Sequence, residues 1–116
     1  MNELLGTVDK ENIVESSCFL EGKEVTASSF SKANRHYETV ARQTFSYIFL
    51  NVGKHKSKHN EAHLEIGDKR LSGFLLKANR VLVCLSAKDT NIVDVRAHVQ
   101  QVQRLMLKAE VDRMLA

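Results

Sequence analysis

Residues 31–53 read SKANRHYETVARQTFSYIFLNVG, and the spacing of their apolar side chains sets how the rest of the chain can fold. Ala33, Tyr37, Val40, Ala41, Phe45, Ile48, Phe49 and Val52 follow the i, i+3, i+4, i+7 pattern of an amphipathic α-helix. Ser31 stands where an N-cap is wanted, and Gly53 where a helix ends on a C′ glycine. The lysines just beyond suit the negative pole of the helix dipole. Tyr47 and Leu50 widen the apolar stripe past a single face. So broad a stripe predicts burial on two sides, against the chain's own sheet and against a partner.

Strand patterns flank this helix. Ile13 to Leu20 and Val25 to Phe30 are rich in β-branched, aromatic and small residues, and Glu21-Gly22-Lys23 joins them as a hairpin. Serines on both arms (Ser16, Ser17, Ser28 and Ser29) predict one solvated face. After the helix, Ala62, Leu64 and Ile66 alternate with His63 and Glu65, the period of a strand with one buried face. Gly67-Asp68-Lys69 turns the chain into a strand over Arg70 to Lys77, and Ala78-Asn79 connects this tightly to another over Val81 to Ala87. The run VLVCLSA is apolar on both faces and belongs at the sheet's centre. Thr90 or Asn91 caps a last helix reaching Ala116, with one stripe at Val95, Val99, Val102, Met106 and Ala109. A second stripe, Leu105, Leu107, Val111 and Met114, lies near its end. At the other end of the chain, Glu3 to Val8 makes a short helix weakened by Gly6. The order is short α-β-β-α-β-β-β-α. It predicts an α+β fold: a five-stranded antiparallel sheet, with the long central helix and the C-terminal helix packed on one face.

The chain has 116 residues, 43% apolar and 27% charged, the size and mix of one globular domain, residues 1–116. Its net charge of +3 and pI of about 9.0 are mildly basic. Much of the excess sits in one stretch, so charge alone draws no nucleic-acid footprint. Cys18 and Cys84 lie far apart in strand-like runs, without metal or redox spacing, and read as buried thiols in a reducing compartment. MNELLGTVDKEN has no apolar run and carries acids early, so no signal peptide is expected. No run approaches the roughly 18 apolar residues of a membrane span. A cytoplasmic protein is the expectation.

The chemistry-bearing residues concentrate in GKHKSKHN, residues 53–60. His55, His59 and His63 are spaced i, i+4, i+8, which gathers metal ligands only on a helix, and the segment has no helical pattern. No metal or other cofactor is expected. Lys54, Lys56 and Lys58 offer an anion or partner contact, but no aromatic residues interleave with them to stack bases. A helix stop followed by a solvated turn accounts for the stretch. Ser16, Ser17, Ser28 and Ser29 lack the G-x-S-x-G context of a nucleophile. His36 and His98 read as surface histidines on helices, and Asp89 and Asp94 as groups serving a helix start. No catalytic constellation emerges.

The pieces LLGTVDKENIVESSCFLEGKEVTASS, SKANRHYETVARQTFSYIFLNVG and LEIGDKRLSGFLLKANRVLVCLSAKDTNIVDVRAHVQQVQRL, taken in order, resemble the roadblock family of the dynein light chain type, which is profilin-like in fold. The last piece includes Asp89-Thr90-Asn91 at the start of its helix. The resemblance implies a non-enzymatic scaffold or adaptor forming a homodimer, or a heterodimer with a related subunit. Such dimers join their central helices and third strands and bind a small Ras-like GTPase or another protein. It places the dimer interface at Tyr37, Val40, Ala41, Thr44, Phe45 and Ile48 on the helix, and at Ala62, Leu64 and Ile66 on the strand. The alternative is a small basic module that binds nucleic acid or an anionic surface through residues 53–60. An enzyme or small-ligand sensor finds no supporting residues.

Overall fold

Six consecutive residues, Val81 to Ser86, are buried, and the strand they form is the middle of the sheet. The computed structural model describes residues 2–54, 60–76 and 80–115. Its elements are α1 (Asn2–Val8), β1 (Ser16–Glu21), β2 (Glu24–Ser28), a 3-10 turn (Lys32–Asn34), α2 (Arg35–Lys54), β3 (Glu61–Ile66), β4 (Lys69–Leu75), β5 (Arg80–Ala87) and α3 (Ile92–Leu115). The five strands lie in the order β2-β1-β5-β4-β3, every neighbouring pair antiparallel. The α+β class and the element order are those the sequence predicts.

The helices, however, cover both faces of the sheet, not one. On one face Cys18, Leu20, Leu71, Val83 and Leu85 pack against Ala41, Phe45 and Phe49 of α2. On the other, Phe19, Phe74, Leu82 and Cys84 pack against Leu5 and Val8 of α1 and Val95, Val99 and Val102 of α3. A central strand apolar on both sides needs a layer on each, because leaving either face wet forfeits about 25 cal/mol per Å² of apolar surface. The expected solvated serine face fails for the same reason. Ser16 and Ser17 are buried. The Ser17 hydroxyl donates to Asp9 Oδ1 at 2.6 Å, and its N–H to Ser29 Oγ at 2.8 Å. His98 is buried too, not on the surface, and its Nε2–H donates to the Val8 carbonyl at 2.7 Å, tying α3 to α1.

Boundaries move where a local bond outweighs the pattern. Ser31 is extended but its hydroxyl makes no cap bond. The helix runs on through Gly53 to Lys54 instead of ending before it, since a helical glycine costs only about 1 kcal/mol. Asn91 caps α3, accepting the Val93 N–H on Oδ1 at 2.9 Å. β1 starts at Ser16 because Lys10 and Val14 bridge across a turn whose Asn12 takes φ +67°, a conformation Asn tolerates. The second α3 stripe is exposed at Leu105, Leu107, Val111 and Met114, and Ala109 of the first stripe is exposed as well.

One close approach fixes α2 on the sheet. The Phe45 ring lies on Gly73 of β4, where an added Cβ would sit 2.4 Å from Phe45 Cδ1. Only glycine leaves room for the ring.

Candidate functional site

The residues expected at an interface fall on two lines of α2. Ala41 and Phe45 point into the chain's own core, with no exposed surface left. They therefore cannot serve as surface for a second copy, which corrects that part of the expectation: the helix line nearest the sheet is consumed by the sheet. Tyr37, Val40, Thr44 and Ile48 run along one flank and are half-buried. The opposite flank faces the β1–β2 hairpin, where Ser46 Oγ donates to the Gly22 carbonyl at 2.7 Å.

β3 is the edge strand beyond β4. Its Ala62, Leu64 and Ile66, opposite Gly73, Leu71 and Lys69, pack partly buried against the α2-side core. Tyr37, Val40 and Ile48 border the same core. The result is an apolar seam, part helix flank and part sheet edge, whose strand has ladder partners on one side only among the described residues. A bare strand edge with apolar neighbours is a template for pairing.

On its other face β3 is held by polar contacts. Arg96 of α3 grips Glu61 with Nη2 to Oε2 at 2.7 Å and Nε to Oε1 at 2.8 Å. That hydrogen-bonded guanidinium holds the Glu61 carboxyl below its ordinary pKa, against the opposing effect of partial burial and with help from His63. His63 Nε2 donates to Glu61 Oε2 at 2.6 Å, which leaves Nδ1 to accept the Ser72 hydroxyl at 2.8 Å. Arg70, buried in β4, donates from Nη1 to the Thr90 carbonyl at 2.5 Å and from Nη2 to the Lys88 carbonyl at 2.6 Å. It thereby clamps the loop that leads into α3.

Ser72, His63 and Glu61 are linked in the manner of a hydrolase triad. Ser72 is completely buried, so its hydroxyl has no approach for a carbonyl substrate, and the linkage acts as a tie between edge strand and sheet. Burial, reinforced by the Glu38 carboxylate, pushes the Cys18 thiol up to about 12, and burial raises Cys84 as well. Neither supplies a thiolate nucleophile near neutral pH. Among the described residues no group of three His, Cys, Asp or Glu side chains could hold a metal. His55, His59, Lys56, Lys58 and the Lys54 side chain lie outside the described residues. No helix among the described residues is long and apolar enough to cross a membrane. The sequence gives no sign of the Glu61–Arg96 tie or the Arg70 clamp, because their partners lie 35, 20 and 18 residues apart.

No family model and no curated protein matches the sequence. Solved structures do. MglB of Myxococcus xanthus superposes with a TM-score of 0.74 at 15% identity, over 96% of this chain and 94% of that one. A Roadblock/LC7 domain from Streptomyces avermitilis gives 0.69 at 12% identity, over 100% and 98%. An MglB structure with a tetrameric arrangement gives 0.60 at 13% identity, over 86% and 79%. Identities this low speak to the fold alone, and the near-complete coverage makes that fold common to the entire described architecture. The chain has the roadblock fold of the Roadblock/LC7 domains and MglB.

Proposed function

We propose that the chain is a non-enzymatic dimerisation scaffold or adaptor that binds, and regulates, another protein. The observation that carries the reading is the seam. Half-buried Tyr37, Val40, Thr44 and Ile48 flank a helix beside an edge strand that turns Ala62, Leu64 and Ile66 toward the same side. Pairing β3 with the β3 of a second copy, or of a related subunit, supplies the missing ladder bonds and covers both apolar rows at once. The tetrameric arrangement described for one MglB structure is a precedent for self-association of this fold. The resemblance to roadblock proteins favours a small Ras-like GTPase as the bound protein. Two buried free thiols suit the cytoplasm.

Sedimentation tests the reading. A dimer whose mass does not change with salt is expected, because apolar burial and strand pairing are weakly screened. Val40→Asp combined with Leu64→Asp should give a folded monomer, seen as half the mass with the helical circular dichroism retained. A wild-type chain that sediments as a monomer at every accessible concentration overturns the proposal.

A further inference from the structure

The flank of α2 that faces away from the seam carries a feature the dimer does not use. Between this flank, the β1–β2 hairpin and the ends of β4 and β5 lies a groove of about 870 Å³. Its floor is apolar, made by Phe49, Val81 and their neighbours. Tyr47 and Leu50 stand on its wall, 69% and 59% exposed. Lys23, at the hairpin tip, and Arg42, on the helix, add two positive charges, and none of the described lining residues is acidic. Among the described residues neither cation is in an ion pair. Ser46 Oγ ties α2 to the hairpin across the groove's end through the Gly22 carbonyl at 2.7 Å.

We infer that this groove docks an acidic amphipathic helical segment of a partner protein. From Arg42 to Leu50 the helix advances about 12 Å, roughly two turns of a docked helix. Such a segment lays two apolar side chains on the Phe49–Val81 floor, between the α2 wall with Tyr47 and Leu50 and the hairpin, the helix-in-groove mode of recognition. Its carboxylates meet Lys23 and Arg42 at the margin. Complementary charge at an exposed margin sets choice of partner and rate of encounter more than total affinity. A basic segment meets two unneutralised cations and is rejected, which is specificity by repulsion. Arg42, Ser46 and Leu50 lie on the flank of α2 opposite Tyr37, Val40, Thr44 and Ile48, and Tyr47, three residues on from Thr44, stands at the border between groove and seam.

Fluorescence anisotropy on the full chain tests the inference with two labelled helical peptides. They share the same Leu and Phe anchors and carry either Glu or Lys at the flanking positions. The Glu peptide is expected to bind about tenfold or more tightly than the Lys peptide at low salt, with the gap narrowing at about 0.3 M salt as the charges are screened. Leu50→Asp, at an exposed position that leaves the core alone, should abolish the difference by removing binding. Lys23→Glu with Arg42→Glu should invert the preference. Equal binding of the two peptides, or Glu-peptide binding that survives both variants, overturns the inference. So does a halving of the sedimenting mass in Leu50→Asp, since the groove would then hold a second copy. The Val40→Asp, Leu64→Asp chain should still bind the Glu peptide, so failure of the seam and failure of the groove give different results.

Discussion

Under α2 the sheet offers Leu20, Leu71, Val83 and Leu85 to Phe45 and Phe49. Under α1 and α3 it offers Phe19, Phe74 and Leu82, interleaved with buried Ser17, Ser72, Ser86 and Arg70. Both faces exclude water, but by different means. The α2 face is joined mainly by non-directional packing, with two hydrogen bonds at its margin, Ser46 Oγ to the Gly22 carbonyl and Ser28 Oγ to Glu38 Oε2, so its helix is placed chiefly by shape, above all by the Phe45 ring on Gly73. The α3 face adds directional bonds to its apolar packing, each to one named acceptor: Ser17 to Asp9, Ser86 to the Ile13 carbonyl, Arg70 to the Lys88 and Thr90 carbonyls, His98 to the Val8 carbonyl. Packing can yield along a helix flank and still remain packing. A hydrogen-bonded loop cannot shift by an ångström without losing its partner. The comparison agrees with the proposal that surfaces meeting other molecules lie beside α2, with the fixed support beneath α3.

The difference is tested most severely at Phe45. Phe45→Ala should cost about 3–5 kcal/mol, the usual penalty for emptying a buried aromatic site. It should appear as a lower denaturant midpoint at unchanged slope, measured at fixed protomer concentration because association adds to apparent stability. Gly73→Ala approaches the same contact from the other side. Its new Cβ would overlap the ring, and displacing the ring should cost about 1–3 kcal/mol. If both variants are as stable as the parent, α2 is not placed by this contact, and the account of the packed face is wrong.

The bonded face should respond more modestly and more locally. Arg70→Met keeps the apolar stem but removes both donors to the loop carbonyls, at an expected cost of about 1–3 kcal/mol. The signature that separates the two faces is where the damage appears. Amide exchange should quicken at residues 88–95, which carry the loop and the first turn of α3, while amides of α2 keep their protection. Loosening spread evenly over both helices would erase the distinction.

Much of this architecture was legible in advance. The period of residues 31–53 specifies α2, and the two-sided apolar run Val81 to Leu85 specifies the central strand. What periodicity cannot say is which line of a broad stripe meets the sheet. Phe45 and Tyr37 belong to the same arc. Only Gly73, 28 positions later in the chain, opens the space that draws Phe45 inward and leaves Tyr37 on the flank. The apolar line along α2 and β3 was thus legible as a region, and two of the nine residues expected at an interface proved to be core. Small polar residues mislead for a related reason. Ser16 and Ser17 read as solvated until their burial is seen, and the partners of Ser17 at Asp9 and Ser29 are contacts between elements. His98 reads as a surface helix position until the end of α1 places the Val8 carbonyl over it. The groove escaped notice altogether, because Lys23 and Arg42 are ordinary exposed cations until the fold sets them around one apolar floor.

The smallest expected effect concerns the strand that belongs to both faces. β3 turns Ala62, Leu64 and Ile66 to the packed side and Glu61 and His63 to the bonded side, where Arg96 holds the Glu61 carboxylate. The Glu61 pKa is lowered in the folded chain, first by the hydrogen-bonded Arg96 guanidinium. A carboxyl with a depressed folded pKa binds its proton more readily once unfolded. Its contribution is therefore fully present above the unfolded value, about 4.3 for Glu, and is lost as pH falls through the folded one. Glu61→Gln should then be less stable than the parent at neutral pH, and the gap should close on acidification through that window. High salt should narrow the same gap, because the Arg96 side chain is exposed to solvent. A gap independent of both pH and salt would mean that β3 owes its place to the packed face alone. The edge strand would then need no charged tie to remain ready for a second copy.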